Sequence, residues 1–256
     1  MGIVMDITMK LSSVFGITRL RNRIRRKINN QFERDDFVID RLNALPAGSL
    51  ILDAGCGSQR YRKDCSHLRY MAQDFGQYSV DDRQMLGRED AGQKRPYEYG
   101  PLDYTGDICD IPEEPGIFDA ILCTEVFEHI PNPQDALKEF SRLLKGDGTL
   151  ILTAPGNCFR HMEPYFFYSG FSDHWYEVSL AKSGFKIETL ETVGDFYSWM
   201  GASIACTTMW HSFLAKIVLY PAMFYYLSKK KTLESRNSLC SGYHVVARKI
   251  QNQTGE

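Results

Sequence analysis

A glycine-rich turn behind a short apolar run is the first feature of this chain whose residues could do chemistry. Asp53 ends the run, and Gly55, Cys56 and Gly57 follow it. Glycines at the end of a buried strand allow positive φ angles and let the backbone approach a ligand closely, while the first turn of a following helix presents free N–H groups. The segment therefore predicts a ligand site at the carboxyl end of a strand.

Two further acids occupy the same kind of position along the chain. Asp74 closes the next strand candidate, twenty-one residues beyond Asp53, and Asp107 closes the one after it. Carboxyl ends of parallel strands meet at one edge of a sheet, and an acid about 20 residues past a glycine turn can accept both hydroxyls of a ribose. Asp53 or Asp107 alone would fit a helix cap better than a ligand contact. The three together, with the turn, predict a nucleoside-shaped site.

Short apolar runs bounded by turn residues predict the strands that would position these acids. The predicted strands span 50–55, 69–75, 104–108, 118–125, 148–155, 185–193 and 242–249. Helical patterns lie between them, clearest in the segment from Pro133 to Gly148. A long amphipathic helix is expected over 8–44, ending before Pro46 and Gly48. Alternating strands and helices predict an α/β fold with helices on both faces of a parallel sheet.

With these motifs in this order, the chain resembles the class I S-adenosylmethionine-dependent methyltransferases, in particular their type-11 group. The resemblance is carried by ILDAGCGS, MAQDF, GDICDIP, FDAILCTEVFEHIPNP, LKEFSRLLKGDGTLILTAP and SGFKIETLE, and covers roughly 48–193 plus the terminal GYHVVARK. It implies a Rossmann-like seven-stranded sheet of order 3-2-1-4-5-7-6 whose last strand is antiparallel. The methyltransferase domain would span 48–256, with an N-terminal amphipathic helical extension at 1–47 and an aromatic helical insertion at about 195–240.

The resemblance also implies roles at the cofactor site. Asp53 and the glycine turn would hold the methionine end of S-adenosylmethionine, Asp74 the ribose, and Asp107 the adenine amino group. The implied cofactor-binding residues are Asp53, Gly55, Cys56, Gly57, Asp74, Asp107, Ile108 and Glu125. Gln59 stands where related sequences have a third glycine, which leaves the shape of the turn open.

The acceptor side of the site is expected directly after the fifth strand. His161 begins the run HMEPYFFYSGF, which is similar to a run in methyltransferases found with glycan biosynthesis enzymes, and it is the first candidate for the base that takes a hydroxyl proton. His129 is the second candidate, although ordering the next helix through a backbone hydrogen bond fits it better. Tyr165, Tyr168 and His174 are the candidate substrate-binding residues; the aromatic ones could also pack a helix against the sheet.

Composition and charge argue against several classes of protein. Thirty Lys and Arg residues against 32 Asp and Glu give a net charge of −2, so no global field favours nucleic acid. Seven scattered cysteines without a CxxC pair disfavour a disulfide framework or a zinc cluster, and no metal ligands are expected. We expect a cytoplasmic location, because Asp6 and Lys10 interrupt the N-terminal apolar stretch and the longest apolar run falls short of a bilayer span.

Two segments are typical of contact with the inner face of a membrane. One spans 11–32, where six basic residues from Arg19 to Lys27 share a helical pattern with aliphatic ones; the other is the aromatic stretch 202–231, which ends in three lysines. Covering the core is the commoner role of such a helix. The polar segment 76–103 is expected to be either a mobile lid or an ordered loop over the site.

The favoured function is a methyltransferase that uses S-adenosylmethionine to O-methylate a sugar of a surface glycan or its lipid-linked precursor. A nicotinamide-dependent oxidoreductase is disfavoured, because Arg60 replaces the glycine that a dinucleotide fingerprint requires. The alternative from a different class is a cofactor-binding scaffold without turnover, associated with membranes through the two segments above. The methylated atom and the oligomeric state are left open.

Overall fold

The computed structural model describes residues 24, 26–77, 98–208 and 212–251. Two sequence-based expectations fall largely outside these ranges. They are the basic membrane-contact segment 11–32 and the central part of the polar segment 76–103, and both stay predictions.

Seven strands form one sheet in the order β3-β2-β1-β4-β5-β7-β6. The strands are β1 (Leu50–Ala54), β2 (Arg69–Asp74), β3 (Tyr104–Thr105), β4 (Phe118–Thr124), β5 (Leu144–Pro155), β6 (Phe185–Val193) and β7 (Gly242–Lys249). Neighbouring strands from β3 to β5 pair in parallel, whereas β7 runs antiparallel to β5. The predicted strand order and the antiparallel last strand are confirmed. Because β1 lies between β2 and β4, the glycine turn that follows it sits at the middle of the carboxyl edge.

Helices and short 3-10 turns connect the strands. The described helices are α1 (Gln31–Asn43), α2 (Pro133–Leu143), α3 (Asp173–Lys182), α4 (Phe196–Thr208), α5 (Phe213–Ser228) and α6 (Leu233–Ser238), and the 3-10 turns are Arg62–Cys65 and Phe127–His129. Residues 26–28 are also helical. In the described residues α2 connects β4 to β5 and α3 connects β5 to β6, the helical connections that are typical of an α/β fold.

The single helix predicted over 8–44 is wrong in its described part. The helical backbone is interrupted at Asn29 and Asn30, so α1 is a separate helix. Asparagine competes with helical backbone bonds through its own side chain. Here Oδ1 of Asn29 accepts the backbone N–H of Gln31 at 3.0 Å, at the start of α1.

Two strand boundaries also differ from the expectation. α2 ends at Leu143 rather than at the glycines, because Leu144 pairs with Phe118 and begins β5 four residues before the predicted strand at 148. β3 is shorter than predicted and ends at Thr105. Neither difference moves the carboxyl edge, where the candidate site residues lie.

Contacts divide the described residues into two compact units. The first, named the sheet unit, runs from Arg34 to Thr192 and resumes at Ser241. The second, named the helical unit, comprises the described residues up to Glu33 together with Val193–Cys240. The predicted division into an extension and a methyltransferase domain stays a prediction.

The core of the sheet unit is built where α1 packs on the central strands. Phe37 and Leu42 of α1 are buried in one cluster with Ile51 of β1. The Phe37 ring stacks on His244 of β7, with 4.4 Å between the ring centroids. Burying each large apolar side chain contributes roughly 2 kcal/mol. This packing fixes α1 and hence the position of Arg34, one turn before Phe37.

In the helical unit, α4 and α5 approach each other closely at Gly201. A Cβ on Gly201 would lie 2.5 Å from Cδ2 of Leu227, so only glycine lets the two helices meet there. The other face of α5 is apolar and open. Its large side chains that are at least 44% exposed are Phe213, Leu214, Ile217, Val218, Tyr220, Phe224 and Tyr225. Within the described parts of the chain, every helix falls short of the length and apolar character that a bilayer crossing requires.

Candidate functional site

The glycine turn after β1 adopts a backbone that suits glycine alone. Gly55 has a φ of +71°, and a Cβ there would lie 2.5 Å from Cγ2 of Val126. Its N–H donates to the carbonyl oxygen of Gln73 at 2.9 Å and to the side-chain Oε1 of the same residue at 3.1 Å. The turn is thereby fixed against the end of β2. Cys56 is buried beside it, and burial raises the pKa of its thiol well above the usual range, so the thiol stays neutral.

Asp53 is a buried carboxylate with one unsatisfied oxygen. Its side chain lies at the end of β1, and the residue is 2% exposed. The Tyr70 hydroxyl donates to Oδ2 at 2.6 Å, whereas Oδ1 has no hydrogen-bond partner among the described residues. Burial raises the pKa of Asp53 to about 7; the Tyr70 bond opposes this shift and the charge of Asp74 adds to it. A buried acceptor without a partner is costly, and it marks where a cationic or hydrogen-bonding ligand group would be stabilised.

Asp74 closes the glycine turn from the neighbouring strand. Its Oδ2 accepts the N–H of Gly57 at 2.8 Å, and its Oδ1 accepts the N–H of Gly76 at 3.0 Å. Burial raises the pKa of Asp74, although these backbone donors oppose the shift. Each carboxylate oxygen has a second lone pair, so Asp74 can still accept from a pair of ligand hydroxyls. The sequence-based role at a ribose therefore fits the observed geometry.

Asp107 and Ile108 lie at the next position along the carboxyl edge. Gln73 links this segment to β2, since its side-chain Nε2 donates to the carbonyl oxygen of Gly106 at 2.8 Å. Asp107 is exposed, and its Oδ1 accepts the N–H of Cys109 at 2.9 Å, which is the local capping role that the sequence left open. Ile108 is buried. In this arrangement Asp107 could accept a hydrogen bond from the polar edge of a nucleobase, and Ile108 could pack against its flat face.

Gln59 has a structural role that the sequence did not reveal. It takes a φ of +56°, the left-handed conformation in which related sequences place glycine. Its side-chain Nε2 donates to the carbonyl oxygen of Pro101 at 2.6 Å, which ties the glycine turn to the segment before β3. Arg60, the next residue, donates to Asp35 of α1 at 2.9 Å. Gln59 thus stands in place of the third glycine, and its side chain stabilises the turn through the hydrogen bond to Pro101.

An ion pair between Glu125 and Arg34 lies past the end of β4. Nη1 of Arg34 is 2.6 Å from Oε2 of Glu125, and the Thr153 hydroxyl donates to Oε1 at 3.0 Å. Burial works against the charge of Arg34, but the neighbouring Glu125 outweighs it and raises the pKa of the guanidinium. Arg34 was not among the site residues predicted from the sequence. Its three-residue spacing from the core residue Phe37 was the signal that could have placed it inward.

His129 and His161 are brought together after β4 and β5. Their rings lie edge to face, with 4.8 Å between the centroids. Nδ1–H of His129 donates to the carbonyl oxygen of Tyr165 at 2.6 Å, and Nδ1–H of His161 donates to that of Phe159 at 2.8 Å. Burial lowers the pKa of His129 to about 4, so its imidazole is neutral at pH 7. Both candidate catalytic histidines therefore direct a lone pair on Nε2 away from the backbone.

Glu128 completes this group and was missed by sequence reasoning. It is 1% exposed, its Oε1 lies 3.6 Å from Nε2 of His129, and its Oε2 has no hydrogen-bond partner among the described residues. Burial raises the pKa of Glu128 well above its ordinary value, and the charge of Glu125 adds to the shift. Nothing in the polar pattern of EVFEHIP separated this acid from an exposed one.

The candidate substrate-binding residues differ in their surroundings: Tyr165 and Tyr168 bond to the Glu128–His129 segment, whereas His174 lies on the surface of α3. The Tyr165 ring contacts Phe75, directly after Asp74, at 5.3 Å between centroids, which brings the acceptor segment to the cofactor edge. The Tyr168 hydroxyl donates to the carbonyl oxygen of Pro131 at 2.7 Å. The side chain of His174 is 85% exposed and pairs with Glu177 on the surface of α3, so the structure does not bring it to the histidine pair.

Comparison with known protein families agrees with this geometry. Residues 52–152 match the family model Methyltransf_11, described as a methyltransferase domain. A ubiquinone biosynthesis O-methyltransferase of Xanthomonas oryzae pv. oryzae is 32% identical over 124 residues, which are 47% of this chain and 48% of that protein. The corresponding enzyme of Xanthomonas campestris pv. campestris is 33% identical over the same length. The chain thus spans about half the length of the curated relatives it matches.

Solved structures extend the likeness to the fold. Phosphoethanolamine N-methyltransferase 2 of Haemonchus contortus, in complex with S-adenosyl-L-methionine, superposes with a TM-score of 0.51 at 20% identity, over 86% of this chain and 53% of that one. The [4+2]-cyclase SpnF superposes with a TM-score of 0.51 at 19% identity, over 83% and 80%. At this identity the likeness shows the Rossmann-like methyltransferase fold, and the cyclase illustrates that the fold alone does not determine the reaction.

Proposed function

We propose, from the methyltransferase domain matched at residues 52–152, that this protein is an S-adenosylmethionine-dependent O-methyltransferase whose acceptor is a sugar of a surface glycan or its lipid-linked precursor. One observation carries the cofactor assignment. The buried Oδ1 of Asp53 has no hydrogen-bond partner among the described residues, and Asp53 lies beside a glycine turn that Asp74 holds from the next strand. This arrangement fits a ligand with an ammonium at one end and a ribose at the other.

The residues at the carboxyl edge would divide the cofactor between them. Asp53 would accept from the ammonium of the methionine end, and the narrow turn at Gly55 would let the backbone lie close to the same part. Asp74 would accept from the ribose hydroxyls, and Asp107 with Ile108 would contact the adenine. The strand order supports this cofactor over a nicotinamide dinucleotide. Dinucleotide enzymes of the common type have the order 3-2-1-4-5-6, whereas β7 here is inserted antiparallel beside β5.

The chemistry asks little of the protein beyond alignment and proton removal. When bound, the cofactor supplies a methyl group for in-line displacement, in which the acceptor oxygen forms the new bond to carbon and the C–S electron pair returns to sulfur. The chain would hold the acceptor in line and receive its hydroxyl proton. His161 and His129 are candidates, since each hydrogen bond from Nδ1–H to a carbonyl leaves the lone pair on Nε2.

Two observations support a hydroxyl acceptor that is linked to a lipid. The curated relatives named above are O-methyltransferases, which favours oxygen as the accepting atom. The exposed apolar face of α5, followed by Lys229, Lys230 and Lys231, is typical of a surface that lies on an anionic membrane. Tyr165 and Tyr168 would then form part of the wall against which a sugar ring packs.

Methyl transfer can be tested with radiolabelled S-adenosylmethionine and separated glycan, lipid and small-molecule fractions of cells. We expect label in the glycan or lipid-linked fraction. Asp74→Ala should weaken cofactor binding by about tenfold or more, while His161→Ala should spare binding and depress turnover. Asp135→Ala, at a surface ion pair with Lys138, is the matched control and should change neither. If the protein bound the cofactor but no fraction became labelled, the enzyme hypothesis would be wrong and the alternative of a cofactor-binding scaffold would be favoured.

Membrane contact has its own test in flotation with vesicles of anionic lipid. The wild-type protein should float at low salt, and Leu214→Glu with Val218→Glu should reduce flotation, because both side chains belong to the open face of α5. Val178→Glu is the control, since Val178 is 51% exposed on α3 of the sheet unit. If the wild type did not float at low salt, the lipid-linked precursor would be excluded as the acceptor.

A further inference from the structure

Glu128, His129 and His161 form a cluster of the kind that binds metal ions. Each offers one ligand atom, and these atoms all lie within 4.8 Å of one another. Around a metal with ligand distances of roughly 2.1 Å, neighbouring donor atoms are about 3 to 3.5 Å apart. The separation of 3.6 Å between His129 Nε2 and Glu128 Oε1 already matches this spacing. Small side-chain rotations would bring the third donor in.

Both histidines are held in the tautomer that a metal requires. A backbone carbonyl only accepts, so the bonds from His129 to Tyr165 and from His161 to Phe159 place the proton of each ring on Nδ1. The lone pair of each ring is then on Nε2. A second hydrogen bond from the far ring nitrogen to a carbonyl is the usual support of a metal-bound histidine, because it fixes the orientation of the ring.

Glu128 supplies the second, independent indication of a ligand. The residue is 1% exposed, and its Oε2 has no hydrogen-bond partner among the described residues. A buried carboxylate oxygen without a partner is costly unless a cation or donor compensates it. A surface group with the same residue types provides the contrast: Glu177 and His174 pair with side chains that are 55% and 85% exposed, where water compensates the charge.

We infer that Glu128, His129 and His161 bind a divalent first-row transition metal ion whose open positions face the acceptor. Two imidazoles and one carboxylate suit Zn²⁺, Mn²⁺ or Fe²⁺ better than Mg²⁺ or Ca²⁺, which prefer oxygen ligands alone. Three protein ligands leave room for oxygen atoms of a second molecule. The sequence had predicted no metal ligands, because it offered no paired cysteines and the two histidines are 32 residues apart.

The inference deepens the proposed function, on which the role of the metal rests. A hydroxyl oxygen on a divalent metal ion loses its proton far more readily than in water. Because both Nε2 lone pairs would then be donated to the metal, the two histidines would orient the acceptor through the metal instead of serving as its base, and the hydroxyl proton would pass to solvent. Vicinal hydroxyls of a sugar could take two of the open positions, which would select this class of acceptor.

The metal site can be tested without turnover. Full-length protein stripped with a chelator is titrated with Zn²⁺ by calorimetry and with Co²⁺ by visible absorption. We expect one ion per chain, and a loss of affinity of about a hundredfold or more in Glu128→Gln, His129→Ala and His161→Ala. Glu177→Gln is the matched control, because it changes a glutamate that also pairs with a histidine, and it should bind as the wild type does.

Two further readouts separate a failed site from a failed fold or function. Each variant is checked for S-adenosylmethionine binding and melting temperature, and a variant that keeps both is folded. The inference would be overturned if the wild type bound the metal ion no more tightly than folded Glu128→Gln does. It would also be overturned if Glu177→Gln were the variant that lost the ion. Methyl transfer that persists in chelated, metal-free protein would overturn the role at the acceptor, whereas metal binding without cofactor binding would overturn the proposed function alone.

Discussion

Asp53 of the sheet unit and Asp195 of the helical unit are buried to the same extent, at 2% and 1% exposure. Their surroundings differ. Oδ1 of Asp195 accepts the N–H and the hydroxyl of Ser198 at 2.9 and 2.6 Å, and Oδ2 accepts the hydroxyl of Ser235 at 2.7 Å. Asp53 accepts from Tyr70 on one oxygen, and the other has no partner among the described residues. One carboxylate is fully satisfied by its own unit, and the other is half satisfied.

The pKa values of the two aspartates follow this difference. Burial would raise the pKa of Asp195, but the donors on Ser198 and Ser235 outweigh it and lower the pKa. Burial dominates at Asp53 and raises its pKa to about 7. Burial alone therefore does not identify a functional acid. An oxygen that the fold leaves unsatisfied requires a partner from outside the chain, such as ordered water or a ligand group, and at Asp53 it lies beside the glycine turn.

Asp53→Asn should give the largest change, and it should stabilise the ligand-free protein. Because the pKa of Asp53 is raised from 3.8 to about 7, the folded state holds more protons than the unfolded chain between these pH values. Stability therefore falls as pH rises from about 4 to about 7, by about 4 kcal/mol over the whole transition. Asparagine removes this pH dependence. Urea unfolding of both proteins from pH 4 to pH 9 measures it.

At pH 8 the variant should be more stable than the wild type, and at pH 4 the two should be equal. The same variant should bind S-adenosylmethionine more weakly, because the amide offers no charge to an ammonium. A variant that is less stable than the wild type at pH 8 would show that Asp53 is satisfied like Asp195 and would break the comparison.

Asp195→Ala should have the opposite sign and a smaller size. At pH 7 the change removes the charged acceptor from the buried hydroxyls of Ser198 and Ser235, which keep only their bonds to the carbonyl oxygens of residue 195 and Thr232 at 3.0 and 3.1 Å, and should cost about 2 kcal/mol. Since the pKa of Asp195 is lowered, its contribution is present above the ordinary carboxyl value and is lost as pH falls through the folded value. Thermal unfolding at pH 7 and pH 3 checks both points. An equal deficit at the two pH values would contradict a charged, satisfied Asp195.

The sequence allowed Asp53 to be chosen as a candidate but not Asp195. Asp53 follows an apolar strand and precedes two glycines, and the order of strands fixes where such an acid must lie. The carboxyl edge could be predicted for this reason, whereas the sheet order was implied by the family resemblance. Asp195 precedes a helix, and its partner Ser235 is forty residues away. Such long-range hydrogen bonds leave no periodic pattern.

Residues that act through tertiary contacts were missed for the same physical reason. Arg34 and Glu128 are charged residues in segments that look solvated, and only packing shows that they are buried. The helix predicted over 8–44 failed because apolar spacing continued through two asparagines, whose side chains favour a break. Gln59 replaces a glycine at φ +56°, and its compensating bond to Pro101 crosses 42 residues.

The number of protons released on cofactor binding is a third and smaller expected effect. It tests whether Asp53, unlike Asp195, is completed by a ligand. If an ammonium completes Asp53, binding must ionise a carboxyl whose pKa is about 7 in the free protein. At pH 6.5 we expect about 0.8 proton released per cofactor, and affinity should rise by up to about tenfold per pH unit below 7. Calorimetry in two buffers of different ionisation enthalpy measures the proton count. The Asp53→Asn variant should release no proton on binding. If the binding enthalpy of the wild type were the same in both buffers, Asp53 would not be the group that binds the ammonium.

Ser235→Ala gives the smallest expected effect and makes Asp195 resemble Asp53. It removes the donor to Oδ2 of Asp195 and so leaves one buried oxygen unsatisfied. We expect the pKa of Asp195 to rise and about 1 kcal/mol of stability to be lost at pH 7. The Ser235 hydroxyl oxygen also accepts the N–H of Thr232, so part of this loss is independent of pH. The part that disappears on lowering the pH from 7 to 3 reports on Asp195.

Ser238→Ala is the matched control, because its hydroxyl bonds only along the same helix, to the carbonyl oxygen of Glu234, at an exposed position. It should change stability little and equally at both pH values. A deficit in Ser235→Ala that is the same at pH 3 and pH 7 would mean that Asp195 tolerates an orphaned oxygen without a change in its pKa. The unsatisfied oxygen of Asp53 would then no longer be evidence for a ligand, since a half-satisfied carboxylate could be ordinary structure.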